Sequence, residues 1–511
     1  KSEDGGRTWT HMGLERSFQI GDIVIHPKNH DVVYVAALGR LYGPNEERGL
    51  YRTKDGGKTW EKILYIDDRT GVIDIALKPD DPDVILAATY ERQRDGFDTN
   101  EPFKKWGPGG GLWRSTDGGD NWTRIEDGLP TVQLGRIGID WHVKDPNIVY
   151  AIVESELIGS GPKVAEPPRA SLGIEAVDAD AGARITKVVK DGPADKAGLR
   201  EGDIVIAIGG RRIVTQRGLH KALYDYEPGQ RVKLDIVRDR KITTVELTLG
   251  KRPAEEAKEE QAEETKEEEE EAPRPGSDAD IASRPYGTRL GGQRMNIQDE
   301  QGEEGFQYGG VYRSDDAGLT WRRVNSNNPR PMYFSLIRVD PNDPNYVFVG
   351  GVSLYWSDDG GKTFHDDGVQ SEDGGSTHVD HHAMWVDPDD GRHILLGNDG
   401  GLYETFDRMK TWIHHNKFAI GQYYHVGVDT RPVYNVYGGL QDNGSWGGPS
   451  RVRNDRGPIN EDWFRVGGGD GFMVFVDPKD PSLVYYESQN GFIARRDLRT
   501  GESAFLRPSP P

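Results

Sequence analysis

The chain has 511 residues, with 66 Gly, 30 Pro, 12 Trp and 21 Tyr, a formal net charge of −21 and no cysteine. That length exceeds what one compact core usually serves, and the richness in Gly and aromatics points to a β-rich fold with many tight turns. The acidic balance argues against nucleic acid as partner, and the missing thiols exclude disulfides, thiolate metal sites and a cysteine nucleophile. No apolar run is long enough to span a bilayer.

The first residues already form a repeat unit, Ser2-x-Asp4-Gly5-Gly6-x-Thr8-Trp9, so the natural protein is expected to start earlier. The unit returns as Thr53-x-Asp55-Gly56-Gly57-x-Thr59-Trp60, Ser115-x-Asp117-Gly118-Gly119-x-Asn121-Trp122 and Ser314-x-Asp316-Ala317-Gly318-x-Thr320-Trp321. Ser357-x-Asp359-Gly360-Gly361-x-Thr363-Phe364 and a degenerate Thr405-x-Asp407-Arg408-Met409-x-Thr411-Trp412 complete the series. Such an Asp-box predicts a hairpin: Asp and Ser/Thr bond the backbone, Gly-Gly supplies positive φ, and Trp anchors the turn. Most boxes follow a strand, an Asp-Pro type turn and a second strand, as in Ile337-Arg338-Val339-Asp340-Pro341 then Tyr346-Val347-Phe348-Val349. Strand A, turn, strand B, loop, strand C with its box, and strand D make four antiparallel strands per unit, which is a propeller blade. First strands are expected near residues 23, 73, 137, 336, 383, 426 and 474, giving an all-β, about seven-bladed β-propeller of Asp-box repeats, with parts at 1–165 and 301–511.

The spacing from Ser115 to Ser314 is too long for one blade, and residues 168–252 change character. Ser171-Leu172-Gly173-Ile174 and the run Gly192-Pro193-Ala194-Asp195-Lys196-Ala197-Gly198-Leu199-Arg200-Glu201-Gly202-Asp203-Ile204 resemble a PDZ domain of the bacterial HtrA-protease kind, an α+β insert. The resemblance implies that the Ser-Leu-Gly-Ile loop presents backbone N–H groups to a terminal carboxylate, while the adjacent strand pairs with an extended peptide. Leu172, Gly173, Ile174 and Glu175 would then face a helix near Thr215 to Tyr226, with Leu219 and Leu223 as pocket walls. A degenerate domain that only packs is the competing reading. Residues 253–300, led by a Glu-rich run and Pro273-Arg274-Pro275-Gly276-Ser277, read as an acidic, disordered linker.

In an antiparallel blade the start of A and the B–C loop share one end, so the boxes, as C–D hairpins, lie at the other. The expected channel face therefore collects Arg136, His378, Asp380, His381, His382, Gln441, Asn443 and Trp446, and the insert, lying between Glu154 and Gly309, leaves from the same end. In a strand His378, Asp380 and His382 have the alternation a facial metal site would use, but local hydrogen bonding to neighbouring loops explains the same residues, and no metal or cofactor is assigned. Asp399, Asp442 and Asp470 could supply an acid and a base across a glycosidic bond, with Trp446 as a stacking platform. Carboxylates beside Gly are also common turn formers.

His381-His382-Ala383-Met384-Trp385-Val386-Asp387-Pro388, Gly397-Asn398-Asp399-Gly400-Gly401 and Tyr437-Gly438-Gly439-Leu440-Gln441-Asp442-Asn443-Gly444 resemble the bacterial sortilin-like propeller proteins often labelled glycosyl hydrolases. The resemblance implies an exported, extracellular or periplasmic bacterial protein. The hydrolase label itself rests largely on shared Asp-boxes. Two functions are expected from these residues. The first is a scaffold that binds a polypeptide or its C-terminus through the channel face and PDZ groove; the alternative is a glycoside hydrolase acting on a polysaccharide.

Overall fold

The computed structural model describes residues 1–94, 102, 104–159, 170–179, 182–213, 216–223, 226–238, 241–251, 293–366, 377–416, 418, 421–455 and 457–506. The fold is all-β, with blade-like sheets of four antiparallel strands and one small α+β insert. The first sheet takes its strands in chain order, Gln19–Ile25, Val33–Gly39, Gly49–Thr53 and Glu61–Leu64, and the second does the same from Thr70–Leu77 to Thr123–Ile125. The third pairs Leu134–Trp141 and Val149–Ser155 with Gly310–Ser314 and Arg322–Asn325, so the insert interrupts its B–C connection. The fourth, fifth, sixth and seventh begin at Leu336–Asp340, His381–Val386, Tyr423–Val428 and Val474–Val476.

The chain divides into two compact units, residues 1–374 with 386–391, and residues 375–385 with 392–511. In the first unit the apolar faces of consecutive sheets meet. Tyr34, Ala36 and Leu50 pack on Val72, Ile75 and Ile85; Leu86, Tyr90 and Leu112 on Ile137, Ile139 and Val153; and Tyr150, Ile152 and Val311 on Ile337, Val339 and Val349. First strands run so close together that a Cβ on Gly138 would lie 1.8 Å from the Ser335 carbonyl oxygen, which is why only glycine fits there. In the second unit Tyr437 and Val466 pack against Val474 and Val484 in the same way.

The boxes show what the repeat is for. In the hairpin after Ser357, Oγ donates to Asp359 Oδ1 (2.8 Å) and accepts from the Gly361 N–H (2.9 Å). Asp359 Oδ1 also accepts the backbone N–H groups of Lys362 and Thr363 (2.9 Å each), and its Oδ2 accepts the Thr363 hydroxyl (2.8 Å). The same bonds recur around Asp4, Asp55, Asp117, Asp316 and, in the degenerate copy, Asp407. These bonds hold Asp4 and Asp117 at a pKa of about 2. In the degenerate copy Arg408 (φ +57°) and Met409 (φ +67°) occupy the left-handed positions that Gly-Gly fills in four copies and Ala317-Gly318 in a fifth.

The insert has its own core, in which Leu172, Ile185, Val205, Ile208, Leu219, Leu234 and Ile236 are buried. Its main sheet runs Ile174–Ala179, Gly182–Val188, Ile204–Ile208, Arg231–Arg238 and Lys241–Thr248, with a helix at Gln216–Leu223. Residues 253–292 of the expected linker lie outside the described residues. From Gln293 onward the chain is bonded into the third sheet's surroundings, with the Gln293 N–H donating to the Asn328 carbonyl (3.0 Å), so the linker reading does not extend to residue 300.

Candidate functional site

Two places bring the expected site residues together. The first is the edge of the insert. Ile174–Ala179 is the outermost strand of its sheet, pairing only with Gly182–Val188 among the described residues, so one side of its backbone can accept an added strand. The preceding loop turns at Gly173 (φ +70°), whose carbonyl accepts the Val189 N–H (2.9 Å) and whose own N–H donates to Ser171 Oγ (3.0 Å). A bound carboxylate would have to share or replace that serine. Leu172, Leu219 and Leu223 are buried and Ile174 is half-buried, as the lining of an apolar pocket would be before a ligand enters it. Glu175 points away to an exposed ion pair with Lys187 (2.5 Å). At the far end Asp178 Oδ1 accepts the Gln216 backbone N–H (2.6 Å), tying the helix start to the strand. That tie was not read from the sequence, because Asp178 lies far from Gln216 in the chain and in no motif. Thr215, the expected helix start, lies outside the described residues.

The second place is a carboxylate cluster in the unit holding the last three sheets. Asp399 lies in the tight turn between Ile394–Asn398 and Gly401–Thr405, Asp442 in the turn between Asn435–Leu440 and Gly444–Pro449, and Asp470 just before Val474–Val476. His382 Nε2 meets Asp399 Oδ1 at 3.0 Å, and the Asp399 carboxyl is hydrogen-bonded in turn to that of Asp442. The Asp442 backbone N–H donates to Asp470 Oδ1 (2.7 Å), and Gln489 Nε2 donates to Asp470 Oδ2 (2.9 Å). Asn443 Nδ2 donates to the carbonyls of Asp399 (2.8 Å) and Gln441 (3.0 Å), and the Gln441 N–H reaches the Gln422 carbonyl (3.1 Å). Asp442 adopts φ +58°, a left-handed conformation that strains a non-glycine residue.

These contacts pull the two carboxyls apart electrostatically. Partial burial, the Asp470 charge and the bond to Asp399 push Asp442 up to about 7. Burial works against the ionised form of Asp399, but the His382 bond and charge outweigh it and hold its pKa below the ordinary carboxylate value. The arrangement thus puts a proton donor, Asp442, against a charged acceptor, Asp399. Direct contact is much closer than the roughly 6.5–9.5 Å that an inverting glycosidase leaves between its carboxyls for water.

His378, Asp380 and His382 do not share one strand face. The strand begins only at His381, and Asp380 turns before it at φ +63°, so strand alternation does not reach back to His378. Among the described residues no three His, Asp or Glu side chains are grouped to hold a metal ion. His381 is buried, with no hydrogen bond at Nδ1, and burial together with the His382 and His378 charges lowers its pKa to about 4. The Trp446 ring is half-buried and its indole N–H donates to the Asn443 carbonyl (2.7 Å), which makes it a turn anchor rather than an open platform. Arg136 belongs to the third sheet, where its backbone N–H donates to Glu154 (2.9 Å) and its Nε to Ser335 Oγ (2.8 Å).

One set of residues was missed in the sequence. Asp74 Oδ2 accepts the Ile139 N–H and Asp140 Oδ2 the Val339 N–H, both at 2.8 Å, stitching each first strand to the next, and burial raises these carboxyls to about 7 and about 6. The signal was an Asp within each of three successive first strands, Asp22 and Asp74 four residues before the turn residues His26 and Lys78, and Asp140 two before His142, with Arg338 in the fourth.

Comparison with known proteins agrees with the two-part reading. The profile of the family described as "Sortilin, neurotensin receptor 3" matches residues 1–157, and that described as "PDZ domain" matches residues 170–249. A probable periplasmic serine endoprotease, DegP-like, of Ectopseudomonas mendocina is 37% identical over 79 residues, 16% of this chain and 17% of that protein. Its counterpart in Chlamydia muridarum is 33% identical over 134 residues, 24% of this chain and 26% of that protein. The chain therefore spans only about a fifth of the length of these relatives. Among solved structures, the GH74 xyloglucanase of Xanthomonas campestris is 14% identical over 97% of this chain and 68% of its own, with a TM-score of 0.31. The PDZ domain of the Vibrio cholerae carboxy-terminal protease, solved with a peptide, is 25% identical over 17% of this chain and 97% of its own, with a TM-score of 0.15. Among the described residues no helix is long and apolar enough to cross a membrane. The chain joins BNR-type, sortilin-like propeller sequence to an inserted PDZ domain.

Proposed function

We propose that the protein is an exported scaffold, extracellular or periplasmic, that captures a polypeptide by its C-terminus in the PDZ groove. A PDZ domain beside sortilin-type propeller sequence fits a peptide-binding scaffold. The observation that carries the reading is the outer side of Ile174–Ala179, unpaired among the described residues, beside the buried side chains of Leu172, Leu219 and Leu223 and the Gly173 turn. Backbone pairing gives such a site affinity, and the pocket selects an apolar terminal side chain. The test is fluorescence anisotropy of the whole chain with a library of labelled peptides ending in apolar residues, each with a free or an amidated C-terminus. Free-acid peptides should bind at least tenfold more tightly. Gly173→Ala, which puts a Cβ 3.2 Å from Pro193 Cδ at a positive φ, should abolish that preference while leaving the melting curve cooperative. Equal binding of amidated and free peptides would end the proposal.

A second reading, polysaccharide hydrolysis, is favoured by one observation: the opposed Asp399 and Asp442 carboxyls form a ready donor and acceptor. It requires the pair to separate when a sugar enters. Reducing-end release from plant and bacterial polysaccharides that disappears in both Asp399→Asn and Asp442→Asn would support it, and no release across the panel would remove it.

A further inference from the structure

In the unit of the first four sheets, the ends of the first two enclose a cavity walled by Gly43, Pro44, Arg48, Arg69, Arg92 and Lys104, with Glu91 and Gln93. Its charge is unusual for a chain with a net charge of −21. Four cationic side chains meet one carboxylate, and that carboxylate, Glu91, is already taken by Lys104 and by the Gly109 N–H (3.1 Å).

Arg48 is 1% exposed. Its Nη2 donates to the carbonyls of Arg40 (3.2 Å) and Gly43 (3.3 Å), while Nε and Nη1 have no hydrogen-bond partner. Among the described residues Asp67 and Asp68 offset its charge, through space rather than by a hydrogen bond. Arg92 donates from Nη2 to Gln19 Oε1 (2.5 Å) and leaves Nε unbonded, and Arg48, Arg94 and Arg136 all repel its charge. Burying a guanidinium without a carboxylate is costly, and the half-buried Arg92 in the same wall adds to the cost at Arg48. The backbone makes room for this arrangement. Gly39, at φ +83°, lies under Arg48 where a Cβ would fall 2.4 Å from Cγ and 3.0 Å from Nε.

We propose that this cavity is a binding site for a small oxyanion, a carboxylate or phosphate group, held by Arg48 and Arg92 with Arg69 at its exposed rim. A planar guanidinium matches either group with two parallel hydrogen bonds, and the bound anion supplies a hydrogen-bonded countercharge that Arg48 and Arg92 do not find among the described residues. The site is separate from the PDZ groove and does not depend on it.

The experiment is isothermal titration and thermal melting of the full chain with inorganic phosphate, acetate and D-glucuronate, against chloride at equal ionic strength. At least one oxyanion should bind with a single site and raise the melting temperature, and the phosphate and carboxylate arms identify which chemistry is preferred. Arg48→Met and Arg92→Met should weaken binding at least tenfold. Should either fail to fold, Arg69→Gln at the exposed rim should still weaken it several-fold with unchanged melting in chloride. No oxyanion-specific heat or shift, or undiminished affinity in folded Arg92→Met and Arg69→Gln, would overturn the proposal.

Discussion

The first four sheets and the last three are built from the same strand order but hold their ends differently. Each of the first four closes its C–D hairpin with a complete box, whereas the fifth has the degenerate Asp407 copy and the sixth and seventh have none. First strands divide differently. Those of the second to fourth sheets, starting at Thr70, Leu134 and Leu336, are mostly buried, while Ile23 and Ile25 in the first sheet and Tyr423, Tyr424, Val426, Val428 and Phe475 in the sixth and seventh are exposed. In the early sheets Asp serves as a staple, tied to backbone within its hairpin or to the next strand. In the late sheets Asp399, Asp442 and Asp470 sit in loops and meet carboxyl to carboxyl or through a backbone N–H, with the Asp380 charge acting on Asp442 through space. The same residue type thus stabilises where each oxygen finds donors and stores electrostatic tension where oxygens face one another.

Three measurements would break or sharpen that contrast. The largest effect is expected from Asp359→Ala, which removes an acceptor used by Ser357, Lys362 and Thr363; it should lower stability by about 2–3 kcal/mol in denaturant titration, more than Asp407→Ala in the degenerate copy. Equal losses would mean that the box gains nothing from its Gly-Gly pair.

Next comes Asp442→Asn. Because the folded-state pKa of Asp442 is raised to about 7, its favourable contribution is complete below the ordinary carboxylate range and is lost as pH rises through about 7. The variant should therefore be the more stable protein at pH 8, by about 1–2 kcal/mol once solvent screening is discounted, and the gap should narrow as pH falls below about 7 and close only below about pH 4. Melting curves across that range check the sign, and a variant less stable than wild type at pH 8 would mean the carboxylate is a net staple after all.

The smallest effect is expected from Met409→Gly. Relief of the left-handed strain at φ +67° should outweigh the added chain entropy and stabilise by less than about 1 kcal/mol. A loss would show that the methionine side chain matters more than its backbone.

Repeats are legible in a sequence when one residue pattern makes one set of local bonds. The boxes meet that condition, since Ser357, Asp359 and Thr363 find one another within a few residues, and so the all-β fold and the first strands could be read directly. The insert was legible because Gly173 and Leu172 sit in a loop whose backbone geometry constrains sequence. The pairing of Asp399 with Asp442 was not, because it depends on two turns of different sheets meeting in space. Asp442 and Asp470 could be nominated from their Gly neighbours, but neither the hydrogen bond between carboxyls nor the His382 contact follows from spacing. The early strand of His378 and Asp380 was misjudged because alternation cannot reveal the positive φ at Asp380 that ends it. Arg48, Arg69 and Arg92 gave no signal at all, since nothing in a linear pattern marks three scattered arginines that share one cavity.

In the third sheet, Val153 pairs with Gly310 across the whole of the insert. During synthesis the first two sheets can be completed while this one is still half made, with its second strand waiting for a partner on the far side of an independent domain. A PDZ core that folds promptly shortens the effective gap, and the entropy of closing a chain rises only slowly with length, by about 0.6 kcal/mol per doubling. The order of assembly therefore passes through the insert: a substitution that slows PDZ folding would delay closure of the third sheet and prolong the exposure of its unpaired edge, even at positions that touch no residue of that sheet.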